Sequence, residues 1–273
     1  MFKARKNRTR FGAAASTLEL VYHATVRNLR KTHSNAVIGI MLIIIQSLMM
    51  IAVFSIMSLL IGMRRAPIRG DFMMYIMSGT FIYMTHVRAL MAVAGSEGPA
   101  SSMMQHAPMT TAISILSSAL AALYQTTISA MVILAAYHVT FNPVVIDDPV
   151  GVAAMFGLAW VYGIALGLVF MSLRPWNPTA MPIIERLYVR MNMVFSGKML
   201  VANLMPYSIL MFFTWNPLFH LIDQSRGYMF INYVPMKSDL NYAISVIGVV
   251  YVIGMMWEFF TRKHASRSWN ARS

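Results

Sequence analysis

Five stretches of this chain, 32–63, 72–87, 98–146, 149–173 and 240–257, contain no Asp, Glu, Lys or Arg. The apolar core of a bilayer is crossed by about 20 helical residues, and each stretch is that long or nearly so. Lipid offers no partner for backbone N–H and C=O groups, so such stretches are expected as helices that satisfy their own backbone. Within the third stretch Pro108 removes a helical hydrogen bond and clashes with the preceding turn, which confines the helix to about 113–139 and leaves a loop before it. Composition agrees. The 273 residues are 58% hydrophobic and 11% charged, against about 25% charged in an ordinary soluble domain.

Charge gives the expected orientation. Eight of the 22 basic residues precede position 37 and four follow position 260, so the net charge of +13 is concentrated at the two ends. That is the positive-inside pattern of a chain with both termini in the cytoplasm, and it needs no nucleic acid to explain it. Arg64, Arg65 and Arg69 run against the pattern in the first external loop, and the basic termini outweigh them. The basic start is not followed by a short apolar core with a small-residue cleavage site, so no cleaved leader is expected. The chain has no cysteine, which excludes disulfides, thiolate metal sites and thiol redox chemistry.

Along the chain, Glu19, His23, Arg27, Arg30 and Lys31 recur at helical spacing opposite Leu18, Val21, Tyr22, Val26 and Leu29. This predicts an amphipathic helix lying in the cytoplasmic headgroup layer. Six spans are expected, at about 37–62, 72–94, 113–139, 150–173, 179–199 and 240–260. The fifth is the poorest, because it holds Glu185, Arg186 and Arg190, and charges within a span face protein or a water-filled path. From 200 to 237 the chain is apolar but broken by Pro206, Pro217, Gly227 and Pro235, which predicts short re-entrant or interfacial helices on the external side. The organisation is thus a basic N-terminus with interfacial helix over 1–36, a six-helix membrane domain over 37–262 and a basic tail over 263–273. The expected fold class is an all-α membrane protein.

The chain carries few residues in patterns that support chemistry. A phosphate-binding glycine loop is missing: Gly197-Lys198 lacks both the spaced upstream glycine and the hydroxyl residue that follows the lysine. There is no His-Glu-x-x-His pair and no Gly-x-Ser-x-Gly elbow. His220 and Asp223 stand three apart, a spacing that suits local hydrogen bonding better than a two-ligand metal site. The 27 methionines fall on all faces and read as apolar packing rather than a soft-metal path. Tyr83, Trp176 and Tyr188, with other aromatics, suit either a sugar-stacking track or interfacial belts. Arg88, Arg186 and Arg190 suit either a polar path or structural pairing, and the partner of Arg186 is expected on another span.

The order of these features resembles the permease subunits of type-2 ABC exporters, specifically those for capsular polysaccharide and related surface glycans. The resemblance covers nearly the whole chain. Its most specific part is Trp215-Asn216-Pro217-Leu218-Phe219-His220, similar to a Trp-Asn-Pro-Leu-x-His segment before the last span. The basic helix from Val26 to Gly39, Ser196-Gly197, and Leu204-Met205-Pro206 are similar in turn. The first span departs from many relatives, with Met41 to Gln46 where tryptophan and proline are common.

The resemblance implies an inner-membrane permease that moves a lipid-linked polysaccharide, with no catalytic residue or metal of its own. ATP and magnesium would be bound by two copies of a separate cytoplasmic ATPase, beneath two copies of this chain. The segment 97–108 holds the position of the coupling element, which nominates Glu97, Gly98, Ser101, Met104, Gln105 and His106 as docking contacts. Arg88, Tyr83, Trp176, Arg186, Tyr188 and Arg190 are nominated for the substrate path. Periplasmic and outer-membrane export proteins are further expected partners, and nucleic acid is not. Alternative cargoes are O-antigen, teichoic acid, another lipid or a drug. A membrane-embedded enzyme is the alternative from another class.

Overall fold

A computed structural model describes residues 10–30, 36–60, 68, 70–98 and 110–264. Its elements are α1 (Arg10–Arg30), α2 (Ala36–Leu60), α3 (Phe72–Ala94), α4 (Thr111–Thr140), α5 (Pro149–Leu173), α6 (Ala180–Phe195), α7 (Tyr207–Leu210), α8 (Pro217–Met229) and α9 (Leu240–His264). Among the described residues there is no strand. Five helices, α2, α3, α4, α5 and α9, are long and apolar enough to cross a membrane, and the chain is a multi-pass membrane protein. The fifth expected span is represented by α6, whose 16 residues reach about 24 Å, short of a bilayer core of about 30 Å.

Helix starts follow from local chemistry. The Asp71 carboxylate accepts from the Met73 and Met74 amides at 2.8 and 3.2 Å, and Thr110 accepts from Ile113 at 3.3 Å. Asp148 and Asn216 each cap a helix whose first residue is proline, Pro149 and Pro217. Proline suits that position because its missing N–H would have had no helical partner.

Packing is organised by α5. Gly163 and Gly167 let it close on α3: a Cβ on Gly163 would stand 2.4 Å from the His86 carbonyl oxygen, and one on Gly167 2.7 Å from Val93. On another face, Gly254 of α9 lies against Leu168 and Ala165. Small residues serve here because lipid supplies no hydrophobic drive for helix association, so close backbone approach must supply the attraction. The register of these contacts shows α3, α5 and α9 running in one direction. The short helix α8 runs against them, with Leu218, Leu221 and Ile222 beside Tyr83, Met155, Ala159, Ala243 and Ile247, and Tyr228 over Gly151.

The amphipathic helix α1 is packed rather than free. Val21 and Ala24 are buried with Ile113 of α4, and the Asn28 amide donates to both Ser117 and Ser118 at 3.1 Å. Of the expected apolar side, Leu18 and Tyr22 stay exposed.

After Phe195 the chain leaves helical geometry at Gly197, the one described residue with positive φ, at 64°. Glycine fits there on two counts, since a Cβ would also meet the Phe219 ring at 2.5 Å. The chain then passes through a short 3₁₀ turn at Ala202–Leu204 and α7 and returns at Asn216 to the end of α6.

Candidate functional site

In front of the C-terminal half of α3 lies a cavity of about 620 Å³. Tyr83, Arg88 and Met91 of α3 form its back, and Glu97, just past the Gly95 C-cap, stands at the end where α1 and α4 begin to meet. Gln46 and Met50 of α2, Ser118 and Gln125 of α4, Arg190 and Met193 of α6, and Arg27 and Asn28 of α1 complete the wall. No packed seam joins α2 to α6. Arg88 donates from Nη2 to the Gln46 side-chain oxygen at 2.8 Å, while its Nε has no partner among the described residues. Tyr83 donates to the Val189 carbonyl at 3.1 Å and so ties α3 to α6 at the end of the cavity away from Glu97. The Glu97 backbone amide donates to the Ser114 hydroxyl oxygen at 3.1 Å, which fixes the chain as it leaves α3.

Of the residues nominated from sequence, the cavity gathers Arg88, Tyr83, Arg190 and Glu97. It does not gather Trp176, Arg186 or Tyr188. Trp176 donates to the Thr261 hydroxyl at 2.9 Å and stacks on Phe260 with centroids 5.6 Å apart, bracing the turn after α5 against the end of α9. The partner of Arg186 is the Pro182 carbonyl of its own helix, at 3.1 Å. A partner on another span is the expectation from sequence; Arg186 instead lies on an exposed face, where the carbonyl one turn back is its partner. The carboxylate beside it, Glu185, pairs with Arg174 at 2.9 Å. Tyr188 sits between His86, at 3.0 Å, and Asn192, at 3.1 Å. Gly98 packs beside Met171, and Ser101, Met104, Gln105 and His106 lie outside the described residues.

Trp215, Asn216, Pro217 and His220 come together at a splice between α6 and α8. The Asn216 oxygen caps α8 on the Leu218 amide at 3.0 Å, while its nitrogen donates to Asn192 at 2.6 Å and to the Phe195 carbonyl at 3.0 Å. One side chain thereby satisfies the start of one helix and the end of another. Trp215 lies exposed, with Nε1 on the Phe212 carbonyl at 2.6 Å. His220 Nδ1 accepts from the Asp239 amide at 2.9 Å, which leaves the proton on Nε2 to donate to the Thr214 carbonyl at 2.7 Å.

Sequence reading did not single out a second, enclosed cluster. The Arg226 guanidinium donates to the Leu200 and Lys198 carbonyls and lies 4.3 Å from the centre of the Tyr75 ring. Tyr75 donates to the Met199 carbonyl at 2.8 Å, and the Lys198 ammonium stands 3.4 Å over Tyr83 and 4.3 Å from Phe54. Tyr233 donates to Asp223; burial and that carboxylate both push its phenol above the ordinary range, so it stays a donor. These contacts fasten the irregular chain after α6 onto α3 and α8. The sequence signal for them is weak, because Arg226 and Lys198 sit singly in apolar surroundings with partners that are mostly backbone carbonyls.

Among the described residues no group of three or more His, Asp or Glu is arranged to hold a metal ion. No protein-family model matches the chain, and no curated protein matches it.

Proposed function

We propose that the chain is the permease subunit of an ATP-driven exporter that moves a lipid-linked capsular or related surface polysaccharide across a bacterial inner membrane. The observation that carries this reading is the cavity in which Arg88, Tyr83 and Arg190 meet Glu97, so that residues suited to a polar path share one wall with the start of the 97–108 segment. On this reading both termini are cytoplasmic. α6 together with the irregular chain after it makes a sixth crossing, and the chain from Pro206 through α8 re-enters from the external side. The splice at Asn216 supports that arrangement, since it meets the backbone groups that a broken helix would leave unsatisfied in lipid.

Two copies of the chain form the path, and two copies of a cytoplasmic ATPase carry ATP and magnesium. ATP-driven closure of the ATPases pulls on Glu97 and the residues after it, Gln105 and His106 among them, and shifts the permease between inward and outward states as rigid bodies. Envelope proteins beyond the membrane extend the route. The mixture of guanidiniums and methionines in the cavity wall also suits other amphiphiles, including O-antigen, teichoic acid, a lipid or a drug.

The test is co-purification of the tagged chain with an ATPase subunit encoded beside it, followed by glycan export in cells. Replacing Glu97 and Gln105 together is expected to leave the complex assembled and its ATP hydrolysis running while export stops. Unchanged export in that double variant removes the docking role. Turnover of a small molecule by the isolated chain would favour a membrane-embedded enzyme instead.

A further inference from the structure

We infer that the cavity in front of α3 binds the phosphate headgroup of an amphiphile, gripped by Arg88 and Arg190, with the apolar chain leaving between α2 and α6. Arg174 has Glu185 and Arg262 has Glu258, while Arg226 and Arg186 are bonded to backbone carbonyls away from the cavity. Arg88, in the spanning helix α3, holds only the neutral Gln46, and Arg190 makes no hydrogen bond or ion pair to the described residues. A guanidinium at membrane depth without a counter-anion is costly, and it is retained where an anion is to be received.

Both cations line the same cavity, and Arg27 stands on a third wall. Against the three guanidiniums the lining has one carboxylate, Glu97, a surplus of two positive charges. A guanidinium presents a fork of five donors that matches phosphate oxygens two at a time. Several forks around one space suit a group with more than one negative charge better than a single carboxylate.

The tail follows from the rest of the wall. Met50, Met84, Met91 and Met193 form an adaptable apolar lining, and among the described residues no packed seam joins α2 to α6. Beyond that gap both helices present exposed apolar residues, Met49 and Val194 among them. Free phosphate would satisfy the arginines and leave the methionines wet, whereas an uncharged lipid would do the reverse. An amphiphile does both. That the amphiphile is cargo rests on the transport reading; that it binds does not.

The experiment uses the full chain in nanodiscs with native mass spectrometry, titrating dioleoyl phosphatidic acid, dioleoylglycerol, oleate and inorganic phosphate. Phosphatidic acid is expected to bind at one site per chain and to bind more tightly than the other three. Arg88→Gln and Arg190→Gln are each expected to weaken it about tenfold, the scale of one lost charge-assisted contact, and Arg88→Lys by less. Arg186→Gln is expected to leave it unchanged. Because Arg190 is exposed and bonds to nothing described, its substitution keeps the test valid even where Arg88→Gln fails to fold. Wild-type affinity in Arg190→Gln and Arg88→Gln overturns the site. Equal binding of dioleoylglycerol or oleate overturns the phosphate, and equal binding of inorganic phosphate overturns the tail. Binding as described by a chain that assembles with no ATPase and exports nothing removes the transport reading while leaving the site.

Discussion

α3 and α9 are nearly equal in length, at 23 and 25 residues, and run in the same direction, yet over an 18-residue apolar stretch of each, 78% of the residues are buried in α3 against 17% in α9. α3 is also the least apolar of the five spanning helices. It carries Ser78, Thr80, Thr85 and His86 into full burial and Arg88 into the cavity, whereas α9 turns Val249, Val252, Met255 and Met256 outward. The difference teaches where a membrane protein spends its polar side chains. A hydroxyl on α3 can bond a carbonyl of its own turn, as Thr80 does to Ile76 at 2.8 Å, under cover of α5 and α8. The same group on α9 would face hydrocarbon.

The comparison breaks most readily at the α3–α5 seam. Gly163→Leu places a side chain where even a Cβ would meet the His86 carbonyl at 2.4 Å, and folded, monodisperse protein is expected to be lost, because the obstacle is backbone that cannot move aside. The matched change on the open side, Gly248→Ala, meets nothing within 4 Å and is expected to stabilise α9 by up to about 1 kcal/mol. Size-exclusion profiles of the pair check this, and equal yields would end the distinction between the two helices.

Arg226→Met is the next largest effect. It strands the Leu200 and Lys198 carbonyls beside Tyr75, at an expected cost of about 3 kcal/mol, read from unfolding in mixed micelles. A loss below about 1 kcal/mol would mean that the enclosed cluster does not hold the irregular chain in place. Asn216→Ala should cost about 1–2 kcal/mol, the range of a lost helix cap, and Asn216→Asp more, because the cap survives but a buried carboxylate then faces the oxygens of Asn192 and Phe195.

The smallest effect is at the N-cap of α3. Burial pushes the Asp71 carboxyl upward, but bonds from Tyr137, Asn142 and the Met73 and Met74 amides outweigh it and hold the group below its ordinary value of 3.8. A carboxylate depressed by folding contributes stability that is fully present above its unfolded pKa and is lost as pH falls through the folded one. Melting temperature is therefore expected to fall below about pH 4, and Asp71→Asn should flatten that slope; an unchanged acid slope in the variant would place the dependence elsewhere.

The spans themselves were legible because absence of charge over some twenty residues admits few structures in lipid. Arg88 and Arg190 were legible for the same reason, as charges where charge is expensive. What periodicity could not separate was a cavity residue from a bracing one: Tyr83 and Tyr188 both carry a phenol on a helix, yet one lines the space and the other is held between His86 and Asn192. Nor could it find Gln46 as the partner of Arg88, or the Arg174–Glu185 pair, since these depend on which helices become neighbours.

By itself, then, the sequence determined residence in a membrane, a helical backbone, the basic ends and the breaks at proline and glycine. All of these are set locally, by the cost of leaving backbone polar groups or charges in hydrocarbon. The tertiary structure alone decided that α3 is central and α9 peripheral, that Asn216 joins α6 to α8, and that Arg88, Arg190 and Arg27 share one cavity. Those facts follow from small-residue seams such as Gly163 and Gly167 against α3, where fractions of an ångström of backbone approach choose which helices meet.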